Sequence, residues 1–161
     1  MVRRAVPDDA ARIALIQVET WQSAYQGILA HDFLDSLQPE PRTRWWDRFL
    51  RGKSTVHVSE GDGEVVGFCS VGPSGETGWG EVFAIYVHPD WWRAGHGRQL
   101  LEAGETSLLE TGFTRAHLWV LKANERARGF YEARGWTLGP RFRVEEIGGV
   151  QVTEVRYETG L

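Results

Sequence analysis

Residues 81–101 read EVFAIYVHPDWWRAGHGRQLL. The first seven are dense in Val, Phe, Ile and Tyr, the β-branched and aromatic types that fit a buried strand. His88-Pro89-Asp90 ends that strand, because proline cannot donate to a ladder and holds its own φ. A loop follows, Trp91-Trp92-Arg93-Ala94-Gly95-His96-Gly97. After it Leu100, Leu101, Leu108 and Leu109 recur at helical spacing. The unit is therefore strand, glycine loop, helix start. It directs bare backbone N–H groups and the positive end of a helix at one spot, which suits a phosphate or pyrophosphate. Gly95 and Gly97 let the backbone approach a ligand without an intervening Cβ, and Arg93 and Arg98 flank the loop with charge. On spacing alone the two glycines fit a tight turn equally well. The lysine and Ser/Thr of a P-loop are missing, and Leu100 stands where a dinucleotide fingerprint needs glycine or alanine.

Working outward, 161 residues set the expectation of one domain spanning 1–161. A chain of this size buries roughly two-thirds of its unfolded surface. Eight Trp and seven Phe supply a core, and the net charge of −4 argues against nonspecific nucleic-acid binding. The single cysteine, Cys69, excludes an intramolecular disulfide, and no Cys/His cluster has metal-ligand spacing. With no signal peptide and no long apolar run, the expectation is a cytoplasmic protein without a membrane partner.

Towards the N-terminus, Val2–Val6 reads as a short strand. A helix capped by Asp8 or Asp9 then carries Ala10, Ala14, Val18, Trp21 and Tyr25 on one stripe. His31–Leu37 is a second helix, and a third starts near Pro41 with Trp45, Trp46, Phe49 and Leu50 on one face. Thr55–Ser59 and Val65–Val71 flank hairpin chemistry at residues 60–64. Cys69 reads as a small buried hydrophobe. Beyond the central unit come a helix to about Glu110, a strand at Ala116–Leu121, a helix from Asn124 to about Ala133, and strands near Trp136–Val144 and Val150–Tyr157 about a Gly148-Gly149 turn. The order β-ααα-ββ-β-α-β-α-ββ is an α/β chain with a mixed sheet.

WRAGHG, residues 92–97, resembles the acyl-CoA loop [Q/R]-x-x-G-x-[G/A] of the GNAT N-acetyltransferase superfamily. Trp92 occupies the Gln/Arg position, and both glycines match. Downstream, Asn124 to Trp136 is similar to the family segment N-x-x-A-x-x-F-Y-x-x-x-G-[F/W]. The two motifs stand in the family's order and about its distance apart, and the resemblance covers nearly the whole chain. It implies a single GNAT-like domain: a mixed, mostly antiparallel sheet of about seven strands, four or five helices, and splayed central strands forming an acyl-CoA cleft. It further implies an acyltransferase that uses acetyl-CoA, without a metal, to acetylate a primary amine of a small molecule or peptide by direct attack in a ternary complex. A non-catalytic acyl-CoA sensing module and a protein N-acetyltransferase with a groove lined by Trp45, Trp46 or Trp79 are the alternatives. Many relatives form dimers, so a homodimer is among the partners implied.

An alkylamine with pKa about 10.4 is neutral on the order of once in a thousand at pH 7, so a general base helps. Glu81 is the candidate. Strict alternation puts it on the face of Phe83, Ile85 and Val87, where desolvation raises its pKa; a solvated charge at the strand mouth is the competing reading, and a β-bulge would change the face count. By resemblance, Tyr131 protonates the departing thiolate, and packing beside Phe130 is its alternative role. Seven residues is almost two helical turns, which places Asn124, Ala127, Arg128 and Tyr131 along one face, with Asn124 reaching the pantetheine or pyrophosphate arm. The resemblance also gives the main chain of Ile85, Tyr86 and Val87 to pantetheine, a backbone N–H near Val87 to carbonyl polarisation, and Arg93, Ala94, Gly95, His96, Gly97 and Arg98 to the pyrophosphate. Trp21 and Tyr25 read either as core or as an acceptor wall.

Overall fold

In a computed structural model that describes residues 1–53 and 55–161, seven strands form one sheet in the order β1-β2-β3-β4-β5-β7-β6. Three helices follow the first strand: α1 (Ala10–Ala24), α2 (His31–Ser36) and α3 (Pro39–Leu50). The strands are β1 (Val2–Arg4), β2 (Thr55–Gly61), β3 (Glu64–Pro73), β4 (Gly80–Val87), β5 (Arg115–Leu121), β6 (Thr137–Ile147) and β7 (Val150–Gly160). Helix α4 (His96–Glu110) joins β4 to β5, and α5 (Glu125–Glu132) joins β5 to β6. Seven strands and five α-helices are what the element pattern leads one to expect. Helix α3 starts at Pro39 rather than near Pro41, since a proline in the first turn loses no hydrogen bond and brings a helical φ.

All strand pairs are antiparallel except β4 with β5. That parallel pair has two rungs only, Gly80↔Ala116 and Glu81↔His117. Beyond Glu81 the two central strands part, and the gap is where the cleft lies. Two apolar layers hold the faces. On one, Leu100, Leu101 and Leu108 of α4 and Tyr131 of α5 pack on Cys69, Val71, Val82, Ile85 and Val87. On the other, Ile13 and Ile16 of α1 and Trp46 of α3 pack on Val56, Val58, Phe68, Ala84 and Tyr86. Trp136, expected in a strand, precedes β6 and is fully buried in the first layer.

The pairing of β3 with β4 corrects the face assigned to Glu81. Val71 opposes Val82 and Ser70 opposes Ala84, which leaves Phe83 as an extra, bulged residue. Glu81 opposes Gly72, on the same side of β3 as Ser70 and Phe68, the partners of Ala84 and Tyr86. Glu81 thus shares a face with Ala84 and Tyr86 under α1 and α3, and the bulge sends Ile85 and Val87 to the α4 side. Strict alternation fails at the one inserted residue.

Candidate active site

The gap between β4 and β5 opens into a cavity of about 760 Å³ that runs through the sheet. Gly95, Gly97, Arg93, Arg98 and Tyr131 line it on the α4–α5 side, and Trp21, Tyr25, Glu81, Phe83 and Glu154 line it towards α1. Most of the residues singled out by sequence therefore surround one space.

Helix α4 begins at that space. Gly95 is its N-cap at φ +89°, left-handed backbone that a side chain disfavours. Gly97 sits where a Cβ would meet the Phe130 ring at 3.3 Å. Arg93 also has positive φ, +67°. His96 is placed differently from its neighbours: its Nδ1 is 2.7 Å from Ser59 Oγ on β2, and its ring meets Trp91 edge-on. Its imidazole anchors the loop to the sheet, and neither His96 nor Ala94 lines the cavity. Trp92, at the family's Gln/Arg position, donates its indole N–H to the Val87 carbonyl at 2.7 Å and carries the Arg126 guanidinium 3.6 Å above its ring. It ties the loop back to the end of β4, so the residue type that departs from the motif has its own structural task.

The main chain of β4 divides cleanly. His88 N–H donates to the Val66 carbonyl, and Gly67 opposes Val87. In an antiparallel ladder, hydrogen-bonded and non-bonded pairs alternate. Ile85 and Val87 therefore turn their N–H and C=O away from β3 and towards the gap, whereas Tyr86 spends its own on β3. Of the three residues expected to offer main chain to pantetheine, Tyr86 does not; its contribution is a half-buried phenol on the α1 side. There the Tyr25 hydroxyl lies beside the Tyr86 oxygen. Trp21 Nε1 is buried beside that oxygen, outside hydrogen-bonding geometry and without a partner among the described residues. The ring of Trp21 meets Tyr25 edge-on at 5.1 Å. Trp21 and Tyr25 are thus both core and wall.

Tyr131 is 8% exposed, beneath the gap, with its ring packed near Phe130, Trp136 and Tyr157. Burial, then the neighbouring Tyr86 and Cys69, hold its hydroxyl well above the ordinary phenol range, so it stays protonated. Cys69 itself is fully buried, its thiol pushed up to about 12 by burial, which leaves no thiolate to act as nucleophile. Asn124 is the N-cap of α5, its Oδ1 accepting from Ala127 N at 3.1 Å. On α5 the cavity is lined by Arg126, Ala127, Phe130 and Tyr131, and Arg134 joins them from the turn that follows. Arg128, expected on that stripe, instead reaches the Tyr157 hydroxyl and the Lys122 carbonyl, because it is turned roughly 100° around the helix from Ala127.

Burial raises the pKa of Glu81, opposed by Arg143, Arg156 and a hydrogen bond from Ser74. The α1 side of the cavity holds residues that sequence reasoning missed. Arg143 lies 4.4 Å over the Trp119 ring and pairs with Glu154 at 3.0 Å. Both partners sit on the β5–β7–β6 half of the sheet, and no local motif marks them. Period-two alternation would have put Trp119 on a face with His117, but not at the gap. Among the described residues no group of three or more His, Cys, Asp or Glu is placed to hold a metal, and no helix is long and apolar enough to cross a membrane.

Residues 17–136 match the Acetyltransferase (GNAT) family. The chain is 37% identical over 162 residues to the uncharacterized N-acetyltransferase YuaI of Bacillus subtilis, covering 96% of this chain and 89% of that one. It is 32% identical over 137 residues to the mycothiol acetyltransferase of Streptomyces coelicolor; the match takes in 84% of this chain but 42% of that longer protein. Among solved structures, the putative acetyltransferase yncA of Salmonella typhimurium, with its cofactor acetyl-CoA, superposes with a TM-score of 0.75 at 21% identity, covering 99% of this chain and 92% of that one. The protein belongs to the GNAT acetyltransferase family and is an acyltransferase.

Proposed function

We propose that the protein moves an acetyl group from the thioester of acetyl-CoA to a primary amine of a small molecule or peptide, by direct attack with both substrates bound. The observation that carries this reading is the through-sheet gap, with protonated Tyr131 on one side and half-buried Glu81 on the other. The loop from Arg93 to Arg98 presents amides, a helix N-terminus and two guanidinium groups to the pyrophosphate. The main chain of Ile85 and the N–H of Val87, whose carbonyl is taken by Trp92, line the path of the pantetheine arm like the edge of a strand. Glu81 takes a proton from the ammonium. The amine nitrogen then bonds to the carbonyl carbon and sheds its second proton to water as the carbon–sulfur bond breaks; Tyr131 gives its proton to the sulfur and recovers one from solvent, and Glu81 releases its own. The solved relative with acetyl-CoA supports this cosubstrate, and the mycothiol acetyltransferase relatives support a small acceptor.

The test needs no prior acceptor. Acetyl-CoA at a hundred times its Kd is expected to add about 2.7 kcal/mol, a rise of several degrees in thermal midpoint. Thiol release is then followed across free amines and short peptides. Binding without turnover of any amine would favour a sensing module, and no thermal shift would remove the acyl-CoA reading altogether.

A further inference from the structure

A second cavity, of about 630 Å³, lies on the α1–α3 face of the sheet and shares Phe83 and Ala84 with the first. Its wall is a single helical stripe of α3: Arg42, Trp45, Trp46 and Phe49, at steps of three, one and three. Gln17 and Ser70 complete it, and Gln17 Oε1 accepts from Trp46 Nε1 at 3.0 Å. The bulge at Phe83 matters here. It projects this ring to the α3 side, over Gly72, where a Cβ would come within 3.0 Å of it. Phe83 remains 51% exposed and Trp45 49% exposed, although Trp45 stacks on Phe49 with ring centroids 4.7 Å apart. Large aromatic faces are left open on the side from which Glu81 is reached. Arg42 stands at the join: it lines the second cavity and lies 5.5 Å from the centre of the Trp21 ring, which lines the first. Among the described residues it forms no ion pair with a carboxylate.

The geometry points to an extended acceptor site, in which the groove under α3 receives an aromatic or branched apolar group of the acceptor and Arg42 receives a carboxylate. The acceptor class is then a small amine that carries both, the chemistry of an aromatic amino acid. The inference deepens the amine-acetylation reading and rests on it. An amine in front of Glu81 that continues along Ala84 and Phe83 enters the groove, where the open rings remove its apolar surface from water. Its carboxylate meets a guanidinium that no protein anion neutralises. Diamines lack both groups and leave the groove empty.

The experiment measures kcat/KM with acetyl-CoA for phenylalanine, tryptophan, alanine, 2-phenylethylamine and 1,4-diaminobutane, using the full chain. Phenylalanine and tryptophan are expected to exceed alanine, and to exceed 2-phenylethylamine, by at least about tenfold, the ratio that one buried apolar group or one charge-assisted contact commands. Trp45→Ala should collapse the phenylalanine-to-alanine ratio, and Arg42→Gln the phenylalanine-to-phenylethylamine ratio, with Arg42→Lys restoring part of the latter. Thermal midpoints confirm that each variant is folded. Equal rates across the panel, a preference for the diamine, or variants that slow every amine alike would overturn the assignment of the groove. So would a thermal shift with acetyl-CoA accompanied by no turnover of any aromatic amino acid, which leaves the cosubstrate reading intact. Loss of the thermal shift itself would strike the proposed function instead.

Discussion

Tyr131 and Glu81 approach the gap from opposite faces of the sheet, and their environments give them opposite protonation tasks. Burial keeps the Tyr131 phenol protonated, as an acid must be before it acts. Tyr131→Phe is expected to lower kcat by about a hundredfold or less, with Kd for acetyl-CoA nearly unchanged, because a thiolate with pKa near ~8.5 leaves tolerably without help. Equal losses of binding and turnover in stopped-flow and equilibrium titration would instead make it a packing residue. As the proposed base Glu81 must be ionised, and burial raises its pKa. The rate should therefore climb with pH through a limb lying above the ordinary carboxylate range, and Glu81→Gln should remove that limb and about a hundredfold of rate. A pH–rate profile that keeps the limb in the variant would move the base elsewhere, with Glu154 the other carboxylate that lines the cavity.

At the level of elements, the start of α4 and the start of α5 converge on the cavity. Gly97→Val adds branches where the Phe130 ring already stands 3.3 Å from a Cβ. It is expected to displace the α4–α5 contact and abolish the acetyl-CoA thermal shift, while Gly95→Ala loses part of it through the strain of a side chain at φ +89°. Asn124 caps α5 and also lines the cavity, and substitution separates the two. Its Oδ1 caps α5, so Asn124→Ala should cost about 1 kcal/mol of stability and Asn124→Asp much less. Calorimetric titration that shows both variants binding acetyl-CoA more weakly would assign the amide Nδ2 to the cosubstrate; retention in Asn124→Asp would leave it as a cap alone.

For the molecule as a whole, acid stability should report the seam between the two halves of the sheet. His117 on β5 is 3% exposed, its Nε2 is 2.6 Å from Ser74 Oγ on the loop after β3, and its Nδ1 is buried without a partner among the described residues. Burial, and then Arg156, depress its pKa from 6.5 to about 4. The folded chain refuses a proton that the unfolded chain accepts below 6.5. The contribution of His117 is therefore complete above that pH and falls away as pH drops towards about 4. Thermal midpoints between about pH 7.5 and about 5 should decline in the wild type and stay flatter in His117→Gln. Parallel curves would mean that the seam opens enough to admit the charge.

What the sequence determined by itself is the set of local devices. The run EVFAIYV makes a strand wherever it is placed, Pro89 ends it, Gly95 can take a left-handed φ, and the stripes of α1 and α3 are amphipathic at helical period. Those features act over a few residues, so composition and spacing expose them, and with the two motifs they were enough to indicate the order of elements and most of the cleft lining. Tertiary structure alone decided which face Glu81 occupies, because the bulge at Phe83 arises from pairing with β3 and not from any residue in β4. It also decided that Tyr86 spends its main chain on β3, that Arg128 turns to Tyr157, that Arg143 and Glu154 arrive at the acceptor end, and that Phe83 opens a second cavity under α3. Most of these depend on register between paired strands, which no single residue encodes, and a shift of one residue reverses every side chain beyond it.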